Sequence, residues 1–123
     1  PLWLAPEQAR IVVVSQKFEE YGRQVEAQLR EAGIRVSGDY RAEKIGAKIR
    51  DAQLELIPYM LIVGGREMEN GEVSVRDRID GDLGAMPIDT ALAKFQDEIE
   101  NRVVRKTFSG SAGLVSRDAQ NEY

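Results

Sequence analysis

From Ile11 to Val14 the chain runs through consecutive β-branched apolar residues, the pattern of a strand covered on both faces. Phe18, Tyr21, Val25, Leu29 and Ala32 then recur at intervals of three or four. That spacing puts them on one stripe of an amphipathic helix, and Gly33 supplies its stop. Ile34 and Val36 alternate with Arg35 and Ser37, predicting a short half-buried strand that ends near Asp39. Ile45, Ile49, Ala52 and Leu56 define a second helical stripe that closes before Pro58.

Tyr59 to Val63 is again wholly apolar, and Gly64-Gly65 ends it too early for a helix, so it predicts a central strand. Asn70-Gly71 has the chemistry of a type I′ turn, with Met68 before it and Val73 and Val75 after it, which predicts a hairpin. Asp77 to Met86 holds Asp80-Gly81 and Gly84 and reads as loop. A last helix begins after Pro87 and carries Ile88, Leu92, Phe95, Ile99 and Val103 on its stripe. The order β-α-β-α-β-β-α, with two right-handed crossovers and an antiparallel hairpin, predicts an α/β fold. Its mixed five-stranded sheet is flanked by three helices. Periodicity stops at Thr107, where Ser, Gly, Ala and Asn take over, so residues 1–106 are expected as one domain and 107–123 as a flexible tail.

Composition narrows the chemistry. The 123 residues contain no Cys and no His, which excludes disulfides, thiol or Ser–His nucleophiles and Cys- or His-based metal sites. An enzyme made of this chain alone would have to work from carboxylates or lysines. No stretch approaches the ~20 apolar residues of a membrane span. The chain opens on Pro1, as expected of a piece of a longer polypeptide. Its net charge of −4 argues against a generic polyanion binder. Within it, however, Arg41, Lys44, Lys48 and Arg50 stand against Glu43 alone, a local +3.

Two clusters can carry binding chemistry. In the expected hairpin, Glu67 faces Ser74, and Glu67, Ser74 and Arg76 share one face. Glu67 and Arg76 are then diagonal neighbours. A carboxylate beside a guanidinium offers acceptors and donors together, as the edge of an unstacked base such as guanine requires. The same pair would serve equally as an exposed ion pair of little energetic weight. On the second predicted helix, Lys44 and Lys48 are expected to face one way, opposite Ile45 and Ile49. Basic groups beside a helix start suit phosphate, although a solvated face has the same pattern. Gly46 within that helix leaves room for a neighbouring segment or for a phosphate. Gly64-Gly65 belongs to no nucleotide-binding motif, and Asp77, Asp80 and Asp82 lack the order of a calcium loop.

Taken together, these segments resemble the anticodon-binding domains of threonyl-tRNA synthetases. The resemblance rests on YRAEKIGAKIRDAQ from Tyr40 to Gln53, IPYMLIVG from Ile57 to Gly64, Glu67, Asn70-Gly71, Val73 to Arg76 and Gly81 to Gly84. Trp3 to Gln8 and Leu29 to Arg35 fit as well. It implies a C-terminal, RNA-binding module without catalytic groups of its own, holding the anticodon loop of threonine tRNA. Glu67 and Arg76 would read bases, with Lys44 and Arg50 lining the same site. The resemblance further implies a parent ligase, cytoplasmic and homodimeric, whose catalytic domain is this module's partner and uses ATP, magnesium and zinc. The module itself would need no cofactor, membrane or DNA. Ala42 departs from the family, which often has Asn there. A free-standing accessory domain reusing the fold is the alternative.

Overall fold

The computed structural model describes residues 1–101. Five strands, β1 (Ala9–Val13), β2 (Val36–Asp39), β3 (Tyr59–Val63), β4 (Glu72–Asp77) and β5 (Gly81–Pro87), form one sheet in the order β2-β1-β3-β4-β5. β1 pairs in parallel with β2 and β3. β4 runs antiparallel to both β3 and β5. The helices are α1 (Glu19–Glu31), α2 (Ile45–Leu54), α3 (Gly65–Asn70) and α4 (Ile88–Glu100), with short 3₁₀ turns at Leu2–Leu4 and Gln16–Phe18. This is the mixed five-stranded α/β sheet expected from the pattern.

Alternation along the strands sorts side chains between two layers. Ile11, Val13, Leu61, Val63, Val73 and Val75 point to one face, where Val25 and Leu29 of α1 and Ala91 and Phe95 of α4 cover them. Val12, Met60 and Ile62 point to the other, against Ile45, Ile49 and Ala52 of α2. α1 stops as expected: Gly33 takes φ +87°, and Ile34 N–H reaches back to the Leu29 carbonyl at 3.0 Å. Val103 and the tail expected over 107–123 lie outside the described residues.

Three local expectations fail, each for a physical reason. Asn70-Gly71 does not turn a hairpin. Asn70 is the last residue of α3, and Gly71, at φ 66° and ψ 36°, is its left-handed cap, a second use of the same dipeptide. The fifth strand is instead β5, which lies where a loop was expected. Gly81 and Gly84 adopt positive φ and the register shifts between Val75 and Arg76, so the strand survives its glycines as a bulged sheet edge. The helix count among the described residues is accordingly four.

Leu56 is the third failure, since it leaves the α2 stripe altogether. It sits just past the helix end at φ 59° and is 65% exposed. Ile57 N–H donates to the Ala52 carbonyl at 3.0 Å and Leu56 N–H to the Gln53 carbonyl at 3.1 Å, the pair of hydrogen bonds that normally closes on glycine. A leucine held left-handed is strained by roughly 1–2 kcal/mol, while glycine adds some unfolded-state entropy. Leu56→Gly should therefore stabilise the protein by about 0.5–1 kcal/mol, read as a higher urea midpoint at unchanged m-value.

Candidate nucleic-acid interface

The basic run divides into engaged and available groups. Arg41 donates to Asp39 through Nε at 2.8 Å and Nη2 at 2.7 Å, and to Asp51 at 2.8 Å. Lys48 is fully buried, and its Nζ donates to the Val13 carbonyl at the end of β1 over 2.9 Å. Burial pushes that ammonium below the usual lysine range, partly opposed by the Asp39 carboxylate. Lys44 and Lys48 therefore do not share a solvated face, contrary to expectation. Lys44 is the N-cap, extended at φ −68° and ψ 146°, so it does not follow the helical spacing. Lys44 and Arg50 remain exposed and make no ion pair among the described residues. Asp51 faces Arg41 and the β2 edge, so by helical rotation Gly46 and Arg50 overlook the opposite side, toward β4. A Cβ at Gly46 would meet nothing within 4 Å, so no neighbouring segment of the described chain occupies that gap.

α2 covers only part of its sheet face. Beyond Met60 and Ile62 the face continues onto β4 as Ser74, opposite Ile62, and Arg76, opposite Met60. On β5, Ala85 and Asp82 pair with these two positions and are both exposed. Arg76 thus lies on open sheet. Its Nε is buried and has no hydrogen-bond partner among the described residues, an uncommon state for a guanidinium N–H.

Glu67 reaches the same surface by a route the hydrophobic pattern does not predict. It sits in the first turn of α3, where Oε1 accepts from Gly64 N–H at 2.8 Å and Oε2 accepts from the Ser74 hydroxyl at 2.7 Å. The contact with Ser74 was expected across a hairpin and forms instead from helix to strand. Glu67 and Arg76 form no ion pair. Ser74 stands between them, two strand positions, or roughly 7 Å, from Arg76. The expected adjacency of Glu67 and Arg76 is therefore replaced by a gap on a common face.

The hydrophobic pattern marks Gly64 only as a strand stop. Its place three residues before Glu67 is the spacing of a helix-capping pair, the signal that could have revealed its role. Val14, 42% exposed at the end of β1, lies against Gly64 and extends the surface with an apolar group. Nearby, Tyr21 donates to the Glu72 carbonyl at 2.7 Å. Burial, then the Glu67 and Glu72 carboxylates, push its hydroxyl above the usual tyrosine range.

An open sheet face carrying a guanidinium and an anchored carboxylate, flanked by exposed cations, presents donors and acceptors of the kind that an unstacked base requires. Residues 8–98 match the family model described as anticodon binding domain, and the chain belongs to that family. Among its relatives are threonine–tRNA ligases. That of Rhodopirellula baltica is 50% identical over 116 residues, 94% of this chain and 16% of the relative. That of Caldanaerobacter subterraneus is 53% identical over 104 residues, 85% of this chain and 16% of the relative. The crystal structure of the RNA binding domain of threonyl-tRNA synthetase from Cryptosporidium parvum superposes with a TM-score of 0.76 at 37% identity, covering 79% of this chain and 24% of that one. The chain thus spans about one sixth of the ligases it resembles (16%).

The engaged half of the basic run makes its own prediction. Hydrogen bonds from Arg41 hold the Asp39 carboxyl below the ordinary carboxylate range, against the opposing effect of burial. A carboxyl lowered in this way stabilises fully above its unfolded value, near pH 4, and loses that contribution as pH falls through the lower folded value. Arg41→Ala should lower the urea midpoint at pH 7, with the deficit shrinking once the pH drops below about 3. RNA affinity should hardly change.

Proposed function

We propose that this domain reads the anticodon loop of threonine tRNA within a full-length threonine–tRNA ligase. The observation that carries the reading is Arg76, whose guanidinium lies on open sheet with a buried, unpaired Nε. A guanidinium suits the O6 and N7 acceptors of guanine, and every threonine anticodon ends in G then U. The carboxylate oxygens of Glu67 are acceptors and suit the N–H donors of the same base. Lys44 and Arg50 suit the phosphate backbone of the loop, where charge positions the strand without reading it. The relatives named as threonine–tRNA ligases support the choice of tRNA.

In the full-length protein this role makes the domain the tRNA-selecting part of a cytoplasmic, homodimeric enzyme that joins threonine to its tRNA at the expense of ATP. On this reading ATP, magnesium and zinc are held by the catalytic domain. The chain has no His or Cys, and no three metal-binding side chains gather among the described residues. Those groups, and the catalytic domain that this module would pack with, belong to the remainder of the protein. No described helix is long and apolar enough to cross a membrane.

The test uses the 123-residue chain and synthetic anticodon stem-loops. Binding should favour the threonine loop over one with its central guanine replaced. Arg76→Ala should relax that preference by about 1–3 kcal/mol. Lys44→Ala and Arg50→Ala should weaken all loops alike and flatten the salt dependence by roughly one phosphate contact each. Equal wild-type affinity for threonine and scrambled loops would sink the proposal.

A further inference from the structure

We infer that Gly64 and Ser74 form a two-point clamp that gives Glu67 its power to discriminate between bases. This rests on the proposed reading of a guanine edge by Glu67 and Arg76. A glutamate on an exposed first helical turn has three side-chain torsions and would otherwise sample many rotamers. Here one carboxylate oxygen accepts from Gly64 N–H at 2.8 Å and the other from Ser74 Oγ at 2.7 Å. The two donors come from different elements, the end of β3 and the middle of β4, so together they fix both the position and the plane of the carboxylate. They also fix its polarity. A carboxylate already accepting on both oxygens meets a third group as an acceptor, which selects N–H donors and disfavours a carbonyl edge. Each oxygen keeps a lone pair for that third group.

Both clamp residues are constrained by the contact. A Cβ on Gly64 would lie 3.3 Å from Glu67 Oε1 and 3.0 Å from Val14 Cγ2, so a larger residue would push the carboxylate or Val14 aside by a few tenths of an ångström. Ser74 is the one β4 residue placed between Glu67 and Arg76 on the open face. Its hydroxyl therefore holds the acceptor at a set distance from the guanidinium. Ser74 touches no base in this scheme and acts through Glu67, as a positioning residue.

The test is the ratio of affinities for stem-loops with guanine or adenine at the central anticodon position, measured for the 123-residue chain and its variants. Ser74→Ala should lower the ratio roughly tenfold, the scale of losing one hydrogen bond to a charged group. Affinity for the adenine loop should stay unchanged. Ser74→Thr keeps the hydroxyl and should restore the ratio. Gly64→Ala should lower it as Ser74→Ala does, through the other oxygen. A lost packing contact alone would change thermal stability without moving the ratio, so melting curves accompany each variant. Full discrimination by folded Ser74→Ala or Gly64→Ala overturns the clamp. Should Glu67→Gln leave the ratio intact while the wild type still prefers guanine, base reading by Glu67 itself fails, and the clamp with it.

Discussion

The two-sided burial of β1 and β3 is the constraint on which the rest of the molecule depends. Val12 and Val13, like Met60 and Leu61, are adjacent in sequence, point to opposite faces and are all essentially inaccessible. Each face must therefore carry its own helical layer. α1 and α4 supply the first layer and α2 the second. β4 carries no such demand. Val73 and Val75 face the first layer, while Ser74 and Arg76 face away, so the second layer can end at β3. The uncovered strip is the proposed RNA surface, and it exists because one strand alternates where its neighbour does not.

That contrast also separates what was legible in the residues from what was not. Runs such as Tyr59 to Val63 and stripes such as Val25 to Leu29 admit one regular structure each, and both form where they were expected. Asn70-Gly71 admits two, a tight hairpin and a helix cap, and the choice turns on the Gly64–Glu67 capping pair, a quieter signal in the chain than the dipeptide itself. β5 was hidden because an edge strand buries little: Leu83 and Met86 are only half-covered and the remaining positions include two left-handed glycines. Its existence depends on β4 as a template rather than on its own side chains.

Of the candidate surface, the face that each strand residue takes was legible and the geometry was not. Arg76 was rightly placed on a polar face, since strand alternation fixes that much. The Ser74–Glu67 contact was anticipated, although from the wrong element. Lys48 shows how charge can mislead. At three residues after Ile45 and four before Ala52 it falls on the buried stripe of α2, and spacing alone would have sent it inward. Its charge suggested solvent, but the free carbonyl of Val13 at the strand end gave it a partner inside. Lys44 and Arg50 remained outside because one precedes the helix and the other lies off its buried stripe.

The position of β3 between β1 and β4 has a kinetic consequence. Ala9 pairs with Tyr59 across fifty positions of chain, whereas α3, β4 and β5 follow β3 directly and contact it or each other at short range. Loop closure therefore makes the β1–β3 seam the slow, entropically demanding step of assembly. Glu67, Ser74 and Arg76 all lie on the fast side of that seam, within one contiguous segment. Their mutual geometry is set by nearby neighbours and does not wait for the two halves of the sheet to find register. A chain whose seam closes late, or opens transiently, still carries this helix-and-strand segment nearly complete, so the proposed RNA surface is also the part least exposed to errors of long-range pairing.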